Sequence, residues 1–135
     1  MRRLGLEREI VDRRQYDHAV QRFKENRIAL PAFSDLADPT RLRGRLQQQD
    51  GLDPDEPNPL NLFRVHWYND TSRQGQVPLP EHLLLPKALT GVDARIVIVL
   101  GDRFPMIGAH KVLAAYGCLA PRIVTGQFDP TAHRA

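Results

Sequence analysis

The sequence predicts an α/β fold, with a helical N-terminal region followed by the beginning of a parallel sheet. Three observations predict it. Tyr16, Ala19, Val20 and Phe23 recur at spacings of three, four and seven, the stripe of an amphipathic helix. Phe63, Val65 and Trp67 alternate with Arg64, His66 and Tyr68, as in a half-buried strand. The β-branched run Ile96–Leu100 precedes a loop, a short apolar helix and a second β-branched stretch, Arg122–Thr125, the order of a βαβ unit with parallel strands. Three strands are too few for a finished doubly wound sheet, so the sheet is expected to be incomplete in this chain. The predicted organisation is residues 1–60, helical and closed by a Pro/acidic linker, and residues 61–135, the start of the α/β domain.

The chain of 135 residues, 41% hydrophobic and 26% charged, is long enough for a core of its own. A net charge of +3 with both signs interspersed does not call for nucleic acid. The lone Cys118 excludes an internal disulfide, and without a charged neighbour it reads as a small apolar filler. No run approaches the roughly 18 apolar residues of a membrane helix, and the N-terminus lacks an apolar signal core. A cytoplasmic protein without membrane contact is expected.

In order, residues 1–10 read as an arm. Asp12 is placed to cap a helix that stops near Asn26. Ser34 and Asp38 are candidate N-caps, and Asp38-Pro39 predicts a helix over Thr40 to about Gln49, with Leu42 and Leu46 inward. The arginines at 41, 43 and 45 read as a solvated face, with phosphate binding as the minor alternative. Gly51–Pro59, with three prolines and three acids, is an irregular linker. Asn61–Tyr68 is the first strand, and Asn69-Asp70 turns the chain. His66, between apolar neighbours, reads as a structural histidine; no second ligand stands at metal spacing, so no metal site is predicted. Pro80-Glu-His-Leu suggests one helical turn and Pro86–Gly91 another, with Pro near the start and Gly past the end. Pro121 is expected to stop the helix that begins near Lys111, and the tail from Phe128 has loop character.

Lys111 is the chemically odd residue. A cation in the first turn faces the positive end of the helix dipole, at a cost of a few tenths up to about 1 kcal/mol. That singles it out as a candidate nucleophile. Two bland readings stand beside it: the side chain reaches water past the loop, or it pairs with Asp102.

Gly108-Ala-His-Lys111, preceded by a strand and a Gly-Asp-Arg turn and followed by a small-residue helix and Thr-Gly-Gln, resembles the lysine segment of the tryptophan synthase β-chain family. These are the fold-type II pyridoxal-phosphate enzymes, which include cysteine synthases. The resemblance covers about residues 92–127 and extends more weakly back to Leu62–Asp70. It implies a three-layer sandwich built on a parallel sheet, with pyridoxal 5'-phosphate as cofactor. It implies that Lys111 forms the internal aldimine and serves as general base at the substrate α-carbon, and that His110 lies near the cofactor phosphate. The implied activity is β-elimination or β-replacement on an amino acid. The family's glycine-rich phosphate loop and Ser/Thr-Gly-Asn loop have no counterpart here. The chain is therefore expected to be an N-terminal part of a longer enzyme, inactive alone. A homodimer is compatible with this reading. The alternative is a non-catalytic interaction module, using the first helix and exposed apolar groups; a basic nucleic-acid-binding domain ranks below both.

Overall fold

Asp12 starts the first helix by accepting the Gln15 N–H at 3.0 Å, which satisfies one of the donors every helix start leaves open. The computed structural model describes residues 8–46 and 51–133, apart from the side chains of Arg43 and Leu46. Contacts divide these residues into two units, one from residues up to 30 with 113 onwards, the other from 31 to 112.

The first unit contains α1 (Arg13–Glu25), closed by Asn26, whose side-chain amide donates to the Arg22 carbonyl at 2.8 Å. The expected stripe of Tyr16, Ala19, Val20 and Phe23 is half-buried. It also contains most of α5 (Lys111–Val124), where Tyr116 and Ala120 are buried at i and i+4. The Val11 N–H donates to Thr125 O at 2.8 Å. Gly126 has φ +75° and lies so close to the Asp12 carbonyl that a Cβ there would overlap it. Asp129, buried, accepts from Arg22 at 2.9 Å and from the Thr131 N–H at 2.8 Å. These donors, Thr131 first, hold its carboxyl below the usual range.

The second unit contains α2 (Phe33–Ala37), a 3₁₀ turn (Pro39–Leu42), α3 (Arg43–Leu46), a second 3₁₀ segment (Pro59–Arg64), β1 (His82–Leu85), α4 (Lys87–Thr90) and β2 (Ile96–Val99). Leu36, Leu42, Phe63, Val65 and Phe104 form its apolar core. Asn61, Arg64, His66 and Asn69 are buried among them. Burial of so many polar groups is tolerable only with partners. The Arg64 guanidinium donates to Leu52 O at 3.2 Å, Asn61 Oδ1 at 2.6 Å and Gln74 Oε1 at 2.7 Å. The Asn61 amide reaches Asp53 O and Glu56 O, and the Asn69 amide reaches Arg64 O and His66 O. Gly51–Pro59 is irregular, as expected, yet its carbonyls serve this network, so it is part of the unit.

The described chain is mixed helix and sheet, but the parallel sheet and the start of a three-layer sandwich are corrected. The described sheet has two antiparallel strands, β1 and β2, with Leu83 opposite Ile98 and Leu84 opposite Val97. Arg122–Val124 is not a strand: α5 continues through Pro121 to Val124. Thr125 Oγ1 donates to Pro121 O at 2.7 Å and closes the last turn. Asn61–Tyr68 is not a strand either. Asn58 accepts from the Leu60 N–H at 3.0 Å and Pro59 opens a 3₁₀ segment, an N-cap with Pro behind it. The polar partners in the alternation, Arg64 and His66, are as buried as Phe63 and Val65, so no two-faced strand exists.

His82–Leu85 is strand where one helical turn was expected, because it finds β2 as a partner. Pro86–Gly91 is the expected turn, α4, ended by Gly91 at φ +68°. The helix expected after Asp38-Pro39 begins as 3₁₀, with Asp38 accepting from the Thr40 N–H; its predicted end at residues 47–50 lies outside the described residues. The preceding helix starts at Phe33, not after Ser34, and Asp35 reaches back to the Ala32 N–H at 3.2 Å. Asn69-Asp70 turns the chain, with Asn69 bridged to Gln76. Cys118 is exposed, not a filler. No described helix is long and apolar enough to cross a membrane.

Candidate functional site at the start of the last helix

The loop between β2 and α5 is held at both ends and in its middle. The Leu100 N–H donates to Glu81 O at 2.9 Å. Arg103 donates to Glu81 Oε2 at 2.7 Å and lies 3.3 Å from Asp102. That hydrogen bond keeps the Glu81 carboxyl below its usual range and pushes the Arg103 guanidinium up. Phe104 and Pro105 are buried and anchor the loop. Met106, at φ +68°, donates its N–H to Pro54 O at 2.9 Å, and Gly108 sits at φ +58°. A non-glycine residue in the left-handed region holds there only because its surroundings fix it.

This loop delivers His110 to the position before α5 and Lys111 to its first turn. The His110 ring stacks on Trp67, with centroids 5.6 Å apart and planes at 23°. Trp67 in turn meets Phe104 edge to face at 5.0 Å. Gly101 makes room: a Cβ there would stand 2.6 Å from His110 Nδ1. Gly101→Ala is therefore expected to swing the imidazole off Trp67, losing about 1 kcal/mol of stacking. Emission from Trp67, the chain's one tryptophan, reports the change; an unchanged spectrum would show that the stack does not depend on Gly101.

Lys111 is the first residue of α5 and is exposed. Asp102 pairs with Arg103, and among the described residues the Lys111 ammonium has no ion-pair or hydrogen-bond partner. The reading in which it reaches solvent past the loop is the observed one. The structure thus brings His110, Lys111, Gly101 and Trp67 to one place. Sequence reasoning named the first two. It missed Trp67 and Gly101 as their supports; the isolated tryptophan and the glycine directly after an apolar strand were the available signals.

A cleft of about 450 Å³ in the second unit is lined by Asp38, Thr40, Tyr68 and Gln76 with Pro39 and Pro78; neither His110 nor Lys111 lines it. The Lys111 amine is exposed and does not line this cleft, so the cleft gathers no groups around it that would hold pyridoxal phosphate. Two of the three arginines considered for phosphate have other partners, Arg41 at 3.6 Å from Asp38 and Arg45 over the Phe63 ring. No group of three metal-ligating side chains gathers among the described residues. Comparison with models of protein families, with curated proteins and with solved structures yields no match to this chain.

Proposed function

We propose that the chain is the lysine-bearing part of a pyridoxal-phosphate-dependent enzyme catalysing β-elimination or β-replacement on an amino acid. The observation that carries this reading is the position of Lys111. It opens α5 at the end of a pinned loop that follows β2, within Gly108-Ala-His-Lys111, next to a His110 whose ring is set by Trp67 and Gly101. Lys111 would hold the cofactor through its amine and would take the proton from the substrate α-carbon. His110, the residue before the helix, would serve the phosphate end. The cofactor supplies the electron sink.

The chain contains three lysines, at positions 24, 87 and 111. Lys87 lies 3.1 Å from Asp93, and Lys24 is in the last turn of α1. Incubation with pyridoxal phosphate, borohydride reduction and peptide mapping are expected to place most of the label on Lys111. Lys111→Ala is expected to remove the saturable part of the labelling, and this chain alone is expected to turn over no amino acid. Equal labelling of the three lysines, or saturable labelling that survives Lys111→Ala, overturns the proposal.

A further inference from the structure

Both faces of the β1–β2 sheet are apolar. Leu83, Leu85, Ile96 and Ile98 lie on one, and Leu84, Val97 and Val99 lie on the other with His82. Five of these, Leu83, Leu84, Val97, Ile98 and Val99, are 42–53% exposed. A continuous β-branched strand such as Ile96–Val99 normally lies inside a sheet. Here it is an edge. The bond from the Leu100 N–H to Glu81 O sets the phase of the antiparallel ladder. Ile96 and Ile98 direct their backbone groups to β1, and Val97 and Val99 direct theirs outward. Among the described residues, no backbone group pairs with those outward donors and acceptors. Native edges are ordinarily guarded by charge, proline or a bulge. β1 has Pro80 and Pro86 at its ends and His82 on its outer edge; β2 carries no such guard.

We propose that β2 pairs with β2 of a second copy of this chain, antiparallel about a two-fold axis at Ile98, giving a four-stranded sheet. An isologous edge is its own complement. With Ile98 on the axis, Val97 faces Val99 of the partner subunit and each pair exchanges two backbone hydrogen bonds. All outward groups of the strand are then satisfied. Just beyond the strand, Arg95 falls opposite the partner's Gly101, beside the partner's Asp102, so opposite charges meet at each end of the paired strands. A register shifted two residues either way shortens the overlap of the apolar run Ile96–Leu100. The second copy is thus favoured over an unrelated strand by hydrogen-bond phase and charge together. The dimer does not depend on catalysis at Lys111.

Light scattering over a concentration series tests this on the full chain. The mass is expected to rise from 15.4 kDa to twice that value. Val99→Pro removes an outward N–H while leaving the bonds to β1, and Val99→Lys adds a guarding charge. Both are expected to stay monomeric with an unchanged far-ultraviolet spectrum. In a Cys118→Ser background, Ile98→Cys is expected to cross-link under mild oxidation, because residues facing each other across the axis lie about 4.5 Å apart at Cα. Leu84→Cys, on the outer edge of β1, is not. A chain that remains monomeric up to about 1 mM overturns the proposal. So does a dimer that survives both Val99 substitutions, or one that cross-links equally well through Leu84→Cys.

Discussion

Replacing Arg64 by Met is expected to cost the second unit about 3–5 kcal/mol, the largest loss of any single substitution considered. Arg64 is 1% exposed and its guanidinium donates to Leu52 O, Asn61 Oδ1 and Gln74 Oε1. Methionine keeps most of the volume and removes every donor. Asn61 is fully buried, so its Oδ1 loses its donor with no water to replace it, at roughly 1–3 kcal/mol. Gln74 is exposed and rehydrates, and Leu52 O keeps the Gln74 amide at 3.0 Å. Hydrogen bonds from a charged donor contribute about 1.5–3 kcal/mol each, which carries the rest. Burial first, and the like charge of Arg73 after it, push the Arg64 guanidinium down from its ordinary value, so the network works against a desolvation cost. Urea unfolding followed at Trp67 reads this unit directly. With a slope of 1–3 kcal/mol per molar, the midpoint is expected to fall by about 2 M. Arg64→Lys is expected to recover part of the loss, because one ammonium reaches some of these acceptors without the fork. Arg13→Met, which breaks the exposed pair with Asp17 and the guanidinium contact over the Tyr16 ring, is expected to shift stability by about 1 kcal/mol or less. Equal midpoints for Arg64→Met and the parent would mean that the network is decorative.

The same network explains why part of the fold was illegible. Phe63, Val65 and Trp67 alternate with Arg64, His66 and Tyr68, and alternation reports a strand only when one partner set faces water. Here Arg64 and His66 point into protein, so the pattern carried no face. The local signal for the true structure, Asn58-Pro59, was present but outweighed. Arg122–Thr125 failed for a related reason. Its β-branched residues suggested a strand, while burial of Tyr116 and Ala120 extends the helix through Pro121. Leu83–Leu85 has no period at all, and its pairing with β2 is a tertiary fact. By contrast, Asp12 with Asn26 and Pro86 with Gly91 mark helix ends by local hydrogen bonding, and both readings stand. The site divides in the same way. A lysine opening a helix after a strand is visible in sequence order. The stack of His110 on Trp67, and the space left by Gly101, join residues distant in the chain and need the fold.

The second large effect is a loss of stability in mild acid, centred on His66. The ring is fully buried. Its Nδ1 accepts the Tyr68 N–H at 3.1 Å, which assigns the proton of the neutral ring to Nε2. Nε2 is buried with no hydrogen-bond partner among the described residues. Burial pushes the imidazole down to about 4, against an ordinary value of 6.5. Between those two values the unfolded chain binds a proton and the folded chain does not. Stability is therefore complete above about pH 6.5 and falls as the pH drops toward 4, by about 3 kcal/mol in total. Below about 4 the folded ring also titrates and this loss levels off. Asp38, Asp55, Asp70, Glu81 and Asp129, whose carboxyls are all held low, add their own losses only as the pH falls through about 4 and beyond, so the window above it reports His66. His66→Asn keeps an acceptor for the Tyr68 N–H and cannot titrate. It is expected to be less stable at pH 7, by about 1–2 kcal/mol for the volume removed, and to lose much less between pH 6.5 and 4.5. Urea midpoints for parent and variant, measured every half unit across that window, give the difference free of the other histidines. Parallel curves would place the His66 proton equilibrium in water after all, and with it the interior in which Arg64 and Asn61 are held.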